Sequence, residues 1–312
     1  MQTSPWDETL SAFPGDAHEL LEVAMRAGGV VKAPEVEELN EIMGGETGTL
    51  MIQLLPVAAR FAIVPISDFR VGAVAQGLPI SGSEWTSLYL GANVEFLRET
   101  LSFGVHGEQS ATTNAWLNGE VGLKSLAISA APCGSCRQFL HEIVTEQNFD
   151  ILFPTGSGDD YTVTPLSTFL PDAFGPRDLG VTGGLMDPEH QNHDLVLSSG
   201  STDPLVLMAL DSAKQSYAPY TRGFAGCAIE TGDGSMYPGR YAENAAFNPS
   251  MSPIESAITF MNMSRPQGSA HDLARAVLVE VLSKTGQRGA STAALASFAS
   301  GISLEYHQAV EV

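Results

Sequence analysis

Apolar positions recur along this chain in two rhythms, one of helical spacing and one of short runs bounded by glycine and proline. Asp16 precedes Glu19-Leu20-Leu21-Glu22-Val23-Ala24, and Gly28-Gly29 closes that run, which predicts a capped helix. Pro34 stands where a first helical turn tolerates proline, and Gly44-Gly45 ends the helix that follows. Residues 1–47 therefore read as a small helical segment suited to packing or to a dimer contact. From about Thr49 to Arg60 the chain is apolar nearly all round, which predicts a buried helix. Phe69 to Ala75, bounded by Gly77 and Pro79, reads as a strand, with Thr86 to Ala92 as its hairpin partner. A helix is expected from His106 to Gly119 and a short apolar strand from Leu123 to Ser129. A second helix begins after Pro132 and carries Phe139, Leu140, Ile143 and Val144 at helical spacing; Phe149 to Phe153 is a further strand. Residues 154–200, rich in Pro, Gly, Asp and Ser, read as a long connector.

Beyond the connector the rhythm repeats. Leu205 to Tyr217 is a helix, Gly223 to Ile229 resembles the first strand, and Ser235 to Tyr241 the second. Pro253-Ile254-Glu255 is expected to fall where His106-Gly107-Glu108 falls in the first half. Ala276 to Leu282 matches the strand from Leu123, and Ser291 to Leu295 follows without a cysteine. The order strand, strand, helix, strand, helix occurs twice. The expected fold is thus α/β, a mixed sheet with helices on both faces, present in two copies. The expected division is 1–47, 48–153, 154–200 and 201–312, the last segment lacking a metal site.

Composition changes this picture in one respect, the choice of partners. Of 312 residues 44% are hydrophobic, enough for sizeable cores, and no apolar run has the length of a membrane span. Met1 to Ala12 lacks the basic start and apolar centre of a signal peptide, so a cytoplasmic location is expected. The formal net charge is −21, with only 15 Lys and Arg. Such a field repels a polyanion and, more weakly, a nucleotide. A small uncharged substrate meets no such barrier. The three cysteines are Cys133, Cys136 and Cys227. A Cys-x-x-Cys pair in a large, cysteine-poor chain favours metal or redox chemistry over a disulfide framework.

The candidate chemistry lies between His106 and Cys136. His106, Cys133 and Cys136 supply three ligands of zinc-binding type, and a catalytic zinc needs three with one position left open. Both cysteines fall in the first turn of a helix, where free amides and the positive dipole end favour thiolates, and residues at i and i+3 share a face. Glu108, two residues beyond His106, is placed to move protons between a zinc-activated water and a substrate. The plainer alternative is a structural zinc with Glu108 as a helix-start charge, but closed sites use four Cys or His ligands and no fourth is evident nearby. Cys227 reads as a small buried hydrophobe, His141 as a surface residue, and Arg137 as either a donor to a thiolate or a surface cation.

His106-Gly107-Glu108 followed by Pro132-Cys133-Gly134-Ser135-Cys136 is the H-x-E…P-C-x-x-C signature of zinc deaminases. With Phe69-Arg70-Val71-Gly72-Ala73, Gly91-Ala92-Asn93-Val94-Glu95-Phe96, Leu170-Pro171-Asp172-Ala173-Phe174-Gly175-Pro176 and Tyr241 to Pro249, the chain resembles the cytidine deaminases, in their long dimeric bacterial form with a degenerate second domain. The resemblance implies hydrolysis of cytidine and 2′-deoxycytidine to the uridine forms and ammonia, one Zn2+ per chain, and a homodimer. It implies that Phe69 packs against the pyrimidine ring, that Asn93 and Glu95 hold the ribose 3′-hydroxyl, and that Ala131 touches substrate. Phe174 and the backbone around Ala245 would come from the partner subunit. The residues alone also allow Phe69 as a core aromatic, Asn93 as a turn residue and Glu95 as a surface carboxylate. The bacterial form often has Tyr near Ala130 and His at Ser135, so the pocket is expected to be reshaped there. Two other functions stand beside this one: deamination of a nucleotide or polynucleotide, and a zinc-stabilised binding protein without turnover.

Overall fold

The computed structural model describes residues 7–79, 84–156, 158–265 and 272–312; the start of the Met1 to Ala12 stretch lies outside them. After one helical turn at Asp7–Leu10, three longer helices follow. α1 (His18–Arg26) buries Leu21, Ala24 and Met25. α2 (Ala33–Met43) has Pro34 in its first turn and ends on Gly44 at φ 62°. α3 (Thr47–Ala59) buries Leu50, Met51, Ile52, Leu54, Leu55, Val57 and Ala58, too many for a single stripe, because it is sandwiched between the other N-terminal elements and a sheet. A two-residue strand, β1 (Val30–Val31), joins that sheet and is too short to leave a periodic signal.

The first sheet contains β1, β2 (Gly72–Gly77), β3 (Leu88–Ala92), β4 (Leu123–Ile128), β5 (Asp150–Pro154) and β6 (Tyr161–Pro165), in the order β1-β3-β2-β4-β5-β6. Only β4 and β5 run parallel, joined through the crossover that holds α5 (Gly134–Leu140); the other pairs are antiparallel. α4 (Gly107–Leu117) links β3 to β4. β6 arises within the stretch expected to be connector, where Tyr161 to Pro165 pairs with β5 along its full length.

The second sheet contains β7 (Leu195–Leu197), β8 (Ala225–Thr231), β9 (Met236–Arg240), β10 (Leu273–Val281) and β11 (Leu304–Glu311), in the order β7-β11-β10-β8-β9. Its helices are α6 (Pro204–Lys214), α7 (Pro253–Ser264) and α8 (Arg288–Phe298). β10 and β11 are its parallel pair, matching β4 and β5. The mixed α/β fold is therefore present twice, as the repeat predicts. β11 lies beyond the expected elements, although Leu304 and Tyr306 alternate with Glu305 and His307 as in a half-exposed strand.

Alternate residues of each strand serve different cores, the consequence of a period of two. Ala73 and Ala75 face a core shared by the two copies, while Val74 faces α3 and the N-terminal helices. Leu126 and Ile128 face the shared core and Ala127 the outer one. In the second copy Cys227 and Ile229 join the shared core, and Ala228 lies in a third cluster with α6. Sheets buried on both faces explain the nearly continuous apolar strands.

Four glycines mark where helix and strand come closest. A Cβ on Gly91 would lie 2.1 Å from Ala111 N, and one on Gly239 2.4 Å from Ala257 N. On the other faces, Gly72 meets Leu55 O at 2.1 Å and Gly226 meets Ala209 O at 2.4 Å. These pairs set the register of the repeat. Ser110 Oγ accepts from Ala92 N and Ser256 Oγ from Arg240 N, both at 3.1 Å, so Ser256 corresponds to Ser110. Ser252 then corresponds to His106, Ile254 to Glu108 and Glu255 to Gln109. The expected alignment of Glu255 with Glu108 is one residue out.

Candidate active site

Two helix starts meet at one end of the central strands of the first sheet, where Gly107 packs beside Val71, Ala73 and Ile128. His106 is the N-cap residue of α4, and its backbone N–H donates to Gln109 Oε1 at 3.1 Å. Cys133 is the N-cap of α5, with its Sγ accepting from Cys136 N at 3.4 Å. His106 and Cys133 belong to segments 27 residues apart, yet Nδ1 of His106 lies 3.4 Å from Cys133 Sγ and 3.2 Å from Cys136 Sγ. These three are the one group of possible metal ligands of three or more among the described residues.

The donor set fits zinc. Bond lengths of about 2.0–2.1 Å to nitrogen and about 2.3 Å to sulfur, at tetrahedral angles, place the ligand atoms about 3.5 Å apart. The Cys136 thiol donates to Cys133 and pulls it down to about 5, against the opposing effect of burial. The same interaction, with burial, pushes Cys136 up. Two adjacent thiols sharing one proton behave in this way, and a divalent cation replaces that proton and lets both act as thiolates.

Glu108 is buried in the first turn of α4, and desolvation pushes its carboxyl up while the Cys136 thiol opposes that rise. It borders a cleft of about 680 Å³ lined also by Ser67, Phe69, Val71, Asn93, Glu95, His106, Ala130, Ala131 and Cys133. Cys136 lies buried beneath it. Phe69, 61% exposed, stands at the rim rather than in the core. Ala130 lines the wall without a bulky side chain, as its sequence position implies.

Asn93 and Glu95 face the cleft, but they also brace its rim. Asn93 Oδ1 accepts from Val71 N at 2.8 Å and its Nδ2 donates to Phe69 O at 2.9 Å. The Asn93 side chain thus occupies backbone groups that a longer β2 would use, so the strand begins at Gly72 rather than at Phe69. Glu95 Oε2 accepts from Ile66 N at 2.8 Å and Ser67 N at 3.1 Å, and Oε1 accepts from the Ser67 hydroxyl. Burial works against its ionisation, but the Ser67 hydroxyl and the two amides hold its carboxyl below the usual range. Ser67 was missed in the sequence. Its signal is the Ser67-Asp68 turn, with Asp68 at φ 54°.

The other residues singled out in the sequence lie outside this cleft. Phe174 does not line the cleft; its carbonyl accepts from Gln138 Nε2 of its own chain at 2.7 Å. Ala245 N donates to Glu142 Oε2 at 2.9 Å within the chain, leaving Phe247, 67% exposed, at the tip of that stretch. Arg137 serves neither a thiolate nor solvent alone: Nε donates to Pro132 O at 2.8 Å and Nη1 to Phe169 O at 3.2 Å. His141 is half-buried and pairs with Glu146 at 3.2 Å. α5 stops at Leu140, because Val144 N and Glu142 O pair with Leu185 and turn the chain aside. Cys227 is fully buried, as expected.

Two family models, each described as the cytidine and deoxycytidylate deaminase zinc-binding region, match residues 46–149 and 166–293. Cytidine deaminase from Photorhabdus laumondii is 43% identical over 269 residues, 86% of each chain. The protein of that name from Sodalis glossinidius is 44% identical over 261 residues, 81% of this chain and 80% of its own. A crystal structure of cytidine deaminase from Burkholderia pseudomallei matches 40% of this chain and 97% of its own at 27% identity, with a TM-score of 0.32. With likeness along most of its length and a His-Cys-Cys group built for zinc, this chain belongs to the cytidine deaminase family.

Proposed function

We propose that the chain catalyses hydrolytic deamination of free cytidine and 2′-deoxycytidine to the uridine forms and ammonia, as a cytoplasmic enzyme of pyrimidine nucleoside salvage. The observation that carries this reading is the buried Glu108 beside His106, Cys133 and Cys136 at the floor of an open cleft. Zinc held by those three residues supplies Lewis acidity that makes water a nucleophile near neutral pH. Glu108 takes the proton of the attacking water and gives it to ring N3. It then carries a proton from the new C4 hydroxyl to the departing amine, so water enters, ammonia leaves and the ring keeps its N3 proton. Phe69 packs on the pyrimidine, the remaining capacity of Asn93 and Glu95 serves the ribose, and Ala131 borders the base. The net charge of −21 favours an uncharged nucleoside over a nucleotide or polynucleotide. No helix among the described residues is long and apolar enough to cross a membrane.

In this reading residues 48–153 form the working copy and 201–312 the degenerate one, with 1–47 and 154–200 in support. The chain works as a homodimer, with Phe174 and the stretch around Ala245 closing over the partner's ligand. Exposure of Phe174 and of the neighbouring Phe247 supports this.

The test follows ultraviolet absorbance with cytidine, deoxycytidine, cytidine monophosphate and a short oligonucleotide, with and without a chelator. Rapid turnover of both nucleosides, weak or no turnover of the others, and loss of activity with chelator are expected. Preference for the monophosphate or the oligonucleotide would overturn the substrate assignment.

A further inference from the structure

The second copy of the fold lacks the ligands, yet it meets the cysteine helix directly. The Glu142 side chain is buried just past the end of α5, and three donors converge on it. Its Oε1 accepts from Tyr217 Oη at 2.8 Å and from the Tyr220 hydroxyl, and its Oε2 accepts from Ala245 N at 2.9 Å. All three donors belong to the second copy. Beside them Asn244, fully buried, donates from Nδ2 to Gln138 O at 2.9 Å, capping one of the carbonyls that a helix end leaves unpaired. The Glu142 carbonyl accepts from Leu185 N at 2.7 Å, so the connector holds the backbone at the same place.

The geometry matters because α5 has only seven residues. So short a helix does not hold its own position, and contacts at its ends must set it. One end carries Cys133 and Cys136; the other is tied to Glu142 and Asn244. Glu142 does not line the catalytic cleft of its own chain, so toward that cleft it acts through other residues rather than on the substrate. A buried carboxyl group without partners is costly, and three donors satisfy this one.

We propose that Glu142 is a positioning residue for the metal site, through which Tyr217, Tyr220 and Ala245 of the second copy hold the cysteine helix in place for its metal. The degenerate copy thereby acts as a fixed support for the working one. This rests on the assignment of His106, Cys133 and Cys136 as zinc ligands.

The test compares the full-length protein with Glu142→Ala, Glu142→Gln and Tyr220→Phe. Zinc release to a chromogenic chelator, kcat and KM for cytidine, and the visible spectrum of the cobalt-substituted protein are measured. Glu255→Ala, which weakens a helix cap in the second copy, controls for general loss of stability. Zinc release about tenfold faster in Glu142→Ala is expected, with smaller increases for the other two. A lower kcat at nearly constant KM and altered cobalt bands are expected too, while Glu255→Ala leaves zinc release unchanged. If Glu142→Ala does not fold, Glu142→Gln and Tyr220→Phe decide the matter, since both keep the bulk. Release rates and cobalt spectra of the folded variants within twofold of the parent would overturn the inference alone. A parent protein that binds no zinc would overturn the ligand assignment and this inference with it.

Discussion

Glu108 and Glu255 show how one residue of register separates chemistry from architecture. Glu108 sits against the ligand group, and its replacement by alanine should leave zinc bound while lowering kcat by about 10³-fold or more. Metal analysis together with steady-state kinetics checks this; substantial activity in that variant would remove the proton-transfer role. Glu255 instead accepts from Ser252 N at 2.9 Å and Ser252 Oγ at 2.7 Å, a capping box at the start of α7. Burial pushes its carboxyl up to about 7 from the ordinary 4.5, against the opposing bonds from Ser252. Above pH 4.5 the unfolded chain gives up this proton while the folded chain still holds it. The corresponding stability is complete below that pH and is lost as pH rises through about 7. Glu255→Gln should flatten this decline, worth roughly 3 kcal/mol at most. Urea unfolding at a series of pH values measures it, and an unchanged slope in the variant would contradict the assignment.

At the scale of elements, the site depends on how closely α4 can approach β3. Gly91 permits that approach, and Ala111 lies one turn beyond Glu108 on the same helix. Gly91→Ala should drive helix and strand apart, costing about 1–3 kcal/mol and lowering kcat with it. Gly289→Ala, where a Cβ meets nothing within 4 Å, should change neither. Thermal melts and kinetics of the two variants make the comparison; a Gly91→Ala protein as stable and active as the parent would show that the contact relaxes freely. Most of these elements were legible in the sequence because their signals are local: glycine at helix ends, proline in first turns, apolar runs between breakers. β6 and β11 carry local signals as well, β-branched and aromatic residues from Tyr161 to Thr164 and alternation from Leu304 to His307, but both fall outside the repeated order of elements and were passed over. The end of α5 was hidden. Ile143 and Val144 keep helical spacing, but pairing with Leu185 turns the chain aside.

At the scale of the whole molecule, the two copies share one core. Phe96 and Phe298 lie 6.0 Å apart between ring centroids, Arg240 stacks over Trp116 at 5.0 Å, and Ile254, Ile258 and Met261 join Ala111 and Ala115 in one apolar cluster. A fragment ending at residue 200 exposes that face, and we expect it to aggregate or to bind a hydrophobic dye without a sharp melting transition. A soluble, cooperatively folding and active fragment would show that the first copy stands alone. The sequence by itself determined the donor types, their place at two helix starts, the pairing of Cys133 with Cys136, and the existence of a second copy without ligands. The first three follow from residues near one another in the chain, where helix geometry dictates what shares a face, and the last from an order of elements that occurs twice. Only the tertiary structure decided the rest. It brought His106 to both sulfurs and gave Asn93 and Glu95 the rim of the cleft to brace. It also set Ser252 rather than Pro253 against His106, and led Glu142 to Tyr217 and Tyr220, 75 and 78 residues away. Strand pairing and helix packing choose those partners, and no local pattern carries a contact of that range.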